Sequence, residues 1–131
     1  MASCCLALPG EIQHNSFVNF NALDHQTQQA TTAFKEKLGQ HFQVEQLLLF
    51  GSRARGTHSD QSDADVAVIL PGESGEFIDT KFSMADLAYE VLLDTGIRIQ
   101  PFPIWRSQWE HPERYSNPML LKNIQAEGVI L

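Results

Sequence analysis

The side chains whose types and spacing could do chemistry gather in one stretch, Gly51-Ser52-Arg53-Ala54-Arg55-Gly56-Thr57-His58-Ser59-Asp60-Gln61-Ser62-Asp63-Ala64-Asp65. Gly51 and Ser52 directly follow a short apolar run, so a strand end hands over to a turn whose free backbone N–H groups and hydroxyl can hold an anion. Arg53 and Arg55 add cationic donors that can grip a phosphate in bidentate fashion. Asp63 and Asp65 stand two apart at the start of a second apolar run, and residues two apart on a strand share a face. Two carboxylates that close repel unless a cation lies between them, and Mg²⁺, a hard ion that takes oxygen ligands, meets that need. A loop that folds back on itself would bring phosphate donors and metal carboxylates to one cleft. That is equipment for in-line phosphate chemistry on one or two bridging ions.

Each half of the stretch has an ordinary reading when taken alone. Gly-Ser is common punctuation after a strand, and Asp-rich loops mostly stay solvated or form Asx turns. The joint order of strand, Gly-Ser, basic loop, Ser-Asp-x-Asp and strand is what points to a site. His58 lies in the same loop, where a lone histidine is ordinarily exposed rather than functional.

Gly-Ser, ten residues, then Asp-x-Asp resembles the signature of the DNA polymerase β-type nucleotidyltransferase superfamily. Within it the short chain is similar to the minimal nucleotidyltransferases, the antitoxin partners of HEPN-domain toxins; the likeness spans residues 24–131 and is best over 44–70. The resemblance implies a palm-like fold and a nucleoside triphosphate such as ATP as donor. It also implies Mg²⁺ as cofactor and an acceptor hydroxyl, in the antitoxin branch on the partner toxin. It places Gly51 and Ser52 on the triphosphate and makes Asp63 and Asp65 the metal ligands. Arg55-Gly56 matches the Arg-Gly that shapes the family's loop.

One position departs from the pattern. The family's third acid falls on the strand after the second helix, and Gln100, in Gly96-Ile97-Arg98-Ile99-Gln100, stands where it is expected. An amide hydrogen-bonds but neither brings negative charge to a metal nor takes a proton from an attacking hydroxyl. Glu90, Asp94, Glu110 and Glu113 are the candidate substitutes, and spacing selects none of them. Two functions follow as alternatives: a transferase acting on a partner protein, or a nucleotidyltransferase-fold module that neutralises its partner by binding alone. A small-molecule transferase would need an acceptor cleft that this length supplies only through dimerisation.

The elements that must position these residues are legible around them. Asp24 is a good N-cap, and Ala30, Ala33, Phe34 and Leu38 recur at helical spacing before Gly39. Val44–Phe50 and Val66–Leu70 read as buried strands. Met84, Leu87, Ala88, Val91 and Leu92 predict a helix ending at Gly96, capped locally by Ser83 and Asp86, with its start unsettled between Phe77 and Ser83. Ile97–Gln100 alternates as a strand, whose continuation Pro101 and Pro103 confine to an edge or an irregular exit. Trp105–Tyr115 reads as a loop whose aromatics pin it to the core, and Asn117-Pro118 starts a last helix before Val129–Leu131. The pattern predicts an α/β domain, a small mixed sheet with helices on one face.

Composition bounds the rest. The 131 residues suit one domain, with residues 1–22 a loosely defined leader and 24–131 the folded unit. Nine Lys+Arg against 16 Asp+Glu give a net charge of −7, too few cations for a basic stripe along nucleic acid. Cys4 and Cys5 are adjacent, a poor spacing for a framework disulfide, and the histidines show no zinc-ligand spacing. The run Leu6-Ala7-Leu8 is far short of a membrane span. The expectation is a cytoplasmic protein working away from membranes.

Overall fold

The computed structural model describes residues 19–131, so Cys4, Cys5 and most of the expected leader, residues 1–18, lie outside the described residues. Residues Phe20–Ala22 form a 3-10 turn, and helix α1 follows over His25–His41. Asp24 caps it as expected, its side chain accepting from the Thr27 N–H. Gly39 does not stop the helix, which runs on until the Phe42 N–H closes on the Leu38 carbonyl.

Strands β1 (Gln46–Phe50) and β2 (Ala64–Leu70) pair antiparallel, separated by the one-turn helix α2 (Ser52–Arg55). Helix α3 (Phe77–Thr95) starts at the early end of the unsettled range. Ser83 and Asp86 therefore sit inside it and do not cap its start, because the helix has already begun at Phe77. Strand β3 (Ile99–Trp105) returns parallel to β2, and Pro101 and Pro103 are tolerated because β3 is an edge: the sheet order is β3-β2-β1-β4. Trp105–Tyr115 is not a loop. Helix α4 (Arg106–Glu110) and a 3-10 turn at Pro112–Arg114 occupy it, the Gln108 side chain accepting from the Trp105 N–H at the helix start. Trp105, Trp109 and Tyr115 are buried, as their pinning role requires. Helix α5 (Pro118–Glu127), capped by Asn117, leads to β4 (Val129–Ile130) beside β1.

The mixed α/β sheet is as expected, but its helices cover both faces. Successive strand residues alternate between faces. Leu47, Leu49, Val66 and Val68 face α1 and α3, against Phe34, Leu38, Met84 and Val91. Leu48, Ala67, Ile69 and Ile104 face the other way, against Trp109, Leu121 and Ile124 of α4 and α5. A strand apolar on both faces needs two covers, and the continuous Leu47–Phe50 and Val66–Leu70 runs are that signature. The element hidden in the aromatic stretch, α4, helps α5 to supply the second cover.

Candidate active site

The β1–α2 turn is built for close approach. Gly51 has φ +81°, a conformation L side chains rarely adopt, and a Cβ there would lie 2.6 Å from Asp65 Oδ2. Glycine at 51 thus serves twice, making the turn and leaving room for the Asp65 carboxylate. Ser52 and Arg53 open α2, where the first N–H groups of a helix have no partner within it. Gly56, in the left-handed conformation, ends the turn after Arg55.

Asp65 pairs across from Phe50, at the end of β1 from which Gly51 continues. Its parity matches Ala67 and Ile69, so it points to the α4–α5 face of the sheet, while Asp63 stands just before β2 and its charge still reaches Asp65. The expected convergence of the Gly-Ser turn with Asp65 is realised. Burial pushes the Asp65 carboxyl above the usual carboxylate range, the charge of Asp63 adds to this, and Arg55 opposes both. Asp65 is therefore close enough to feel an anion and a cation of the same cleft. Arg55 is half-exposed, its guanidinium 3.5 Å from Glu127, and is free to turn toward a phosphate.

Arg53 corrects the expectation that both arginines face a phosphate. Its side chain is fully buried. It donates to Thr27 Oγ1 at 2.8 Å and to the carbonyls of Ser62, Ser59 and Asp60 at 2.9, 3.3 and 3.1 Å. Buried charge demands such satisfaction, and the result is a clamp that folds the 59–62 segment back onto α1. His58 joins the same cluster instead of lying exposed, with Nε2 3.0 Å from Asp24 Oδ1. Burial raises the Asp24 carboxyl, but hydrogen bonds from the Thr27 side chain and N–H, with the charges of His58 and Arg53, outweigh it and hold it below its ordinary value.

Gln100 lies directly beside Asp65 in the parallel register of β2 and β3. No group of three or more His, Cys, Asp or Glu side chains converges among the described residues. The proposed substitutes are engaged elsewhere: Glu90 and Asp94 with Lys37, Glu110 with Arg106, Glu113 with His111. Sequence reasoning overlooked Arg98, whose Nε is 3.8 Å from Asp63 Oδ1. The signal was available, since Arg98 stands just ahead of β3 and two residues before Gln100. It also overlooked Lys81, which reaches over the Phe102 ring at 5.0 Å. Phe102 in turn packs edge-on against Phe50 at 5.2 Å.

A family model for the nucleotidyltransferase domain matches residues 32–125, well over half the chain and spanning the Gly-Ser turn, both aspartates and Gln100. The chain belongs to that family. A nucleotidyltransferase domain carries the general activity of nucleotidyl transfer, and such domains generally use a nucleoside triphosphate and a divalent metal. The fold is similar to a crystal structure from Sulfolobus solfataricus described as a proposed nucleotidyltransferase, with TM-score 0.51, 20% identity and 80% of each chain covered. No curated protein matches the chain. No helix among the described residues is long and apolar enough to cross a membrane.

The residues present fit a divalent ion of the Mg²⁺ kind. Such an ion is commonly held by one or two carboxylates together with substrate phosphates, and Asp63 with Asp65 meets that need, beside a turn where a side chain at 51 would have collided.

Proposed function

We propose that the chain binds ATP or another nucleoside triphosphate with Mg²⁺ and transfers the nucleotidyl group to a hydroxyl of a partner protein in the cytoplasm, as antitoxin to a toxin of the HEPN kind. The observation that carries the reading is the fit of Asp65 against Gly51, which brings the phosphate turn and the Asp63-x-Asp65 carboxylates to one end of the sheet. Ser52 and the turn N–H groups hold the β and γ phosphates, and Arg55 supplies a further cation. Asp63 and Asp65 hold Mg²⁺, which when bound neutralises charge developing on the phosphates. The acceptor oxygen bonds to the α-phosphorus while its proton passes to water or to the departing phosphate, the bond from the α-phosphorus to the bridging oxygen breaks, and pyrophosphate leaves.

Gln100 cannot take the acceptor's proton. Its place beside Asp65 favours a second reading, a module that binds its partner without modifying it. Incubation with Mg²⁺, labelled ATP and a candidate HEPN partner distinguishes the two. Transfer requires label on the partner from the natural chain, none from Asp63→Asn/Asp65→Asn, and about 100-fold faster labelling from Gln100→Asp if a base is restored. Inhibition of the partner without label, equal in natural chain and double variant, establishes the binding module instead.

A further inference from the structure

Helix α3 carries five of the seven large apolar side chains exposed among the described residues. Ile78, Phe82, Tyr89 and Leu93 are 59%, 66%, 60% and 66% exposed. Their spacings of four, seven and four keep them in one stripe on a helix of 3.6 residues per turn. The exposed Ala85 divides the middle gap into three and four, so the spacings run four, three, four and four, the kind of seam by which one helix receives another. The stripe faces away from Met84, Leu87, Ala88 and Val91, which pack on the sheet. An apolar band of this length on a chain with net charge −7 marks an interaction face.

Charge decides the occupant. One border of the stripe is acidic, with Asp79, Asp86, Glu90 and Asp94 in succession. Lys37 answers Glu90 at 3.2 Å and Asp94 at 3.8 Å. Asp79 and Asp86 have no ion-pair partner among the described residues. A second copy packed antiparallel across a two-fold axis would set this border against itself, acid facing acid. Lys81, on the other border, is drawn back over Phe102 and Phe77. That border opens into a groove of about 180 Å³ lined by Tyr89, Leu92, Arg98 and Gln100, so whatever covers the stripe ends beside the edge strand.

We propose that the outer face of α3 docks an amphipathic helix of a basic partner protein, its apolar seam on Ile78, Phe82, Tyr89 and Leu93 and its Lys or Arg residues against Asp79 and Asp86. The proposal concerns binding and stands whether or not the chain transfers nucleotides.

Two labelled helical peptides sharing one Leu seam, flanked by Lys in the first and by Glu in the second, test it against the full chain by fluorescence anisotropy. The Lys-flanked peptide binds at least about ten-fold tighter than its counterpart. Phe82→Glu weakens that binding by about ten-fold or more, with melting temperature unchanged because the side chain is exposed, and Asp86→Lys narrows or reverses the preference. Equal affinity for the two peptides, no binding of the Lys-flanked one, or binding indifferent to Phe82→Glu overturns the proposal. Sedimentation of the chain alone as a dimer that Phe82→Glu dissociates overturns it too, since the occupant is then a second copy.

Discussion

Burial and the charge of Asp63 push the Asp65 carboxyl upward while Arg55 pulls it back, so its ionised form is held in the fold at a cost. A carboxyl whose folded value is raised contributes stability that is complete below its unfolded value, about 3.9, and lost as pH rises through the folded one. Asp65→Asn is therefore expected to raise the thermal midpoint at pH 7, with the gain fading as pH falls through the raised folded value and gone below about 4. A midpoint lowered at pH 7, followed by calorimetry across the pH range, contradicts the assignment. On the proposed function the same substitution is expected to abolish transfer, the trade expected where a site is built against stability. At this scale the approach of Asp65 to Gly51 was legible in the sequence, because spacing and strand parity determine which face a strand side chain takes. Arg53 and Arg55 could not be told apart that way. Two residues apart on a single helical turn, they point in different directions, and only the packing of α2 on α1 buries one of them.

Elements carry the next layer. The 59–62 segment is held by carbonyls that converge on Arg53, and the clamp continues through Thr27 and Asp24 into the first turn of α1. Arg53→Leu keeps the bulk but strands those acceptors, and a loss of about 3 kcal/mol in denaturant unfolding is expected. A loss below about 1 kcal/mol would mean that the carbonyls find water instead, and Arg53→Lys, expected to fall between, guards against simple misfolding. Periodicity predicted α1, β1, β2, α3, β3 and α5 in the right order. It missed α4 because Trp105–Tyr115 mixes prolines, charges and aromatics with no clear period, and the helix there is held by contacts distant in sequence. It also ended β3 early, since proline in a strand becomes acceptable only once the sheet order makes that strand an edge.

The described residues form a four-stranded sheet clad on both faces, with the Gly51 turn and Asp65 at one end of it and the exposed face of α3 along one side. The chain's net acidity has two destinations here. Asp63 and Asp65 are set where a metal would neutralise them, and Asp79 and Asp86 border the apolar stripe. Gln100, beside Asp65 in the register, brings no charge to the site, so on the proposed function the affinity for a divalent ion should depend on the phosphates that arrive with it. Titration of ATP into the chain by isothermal calorimetry, with and without Mg²⁺, tests this most directly. The account predicts binding that requires Mg²⁺ and disappears in Asp63→Asn/Asp65→Asn, while ATP that binds equally without the ion, or equally to the double variant, contradicts it.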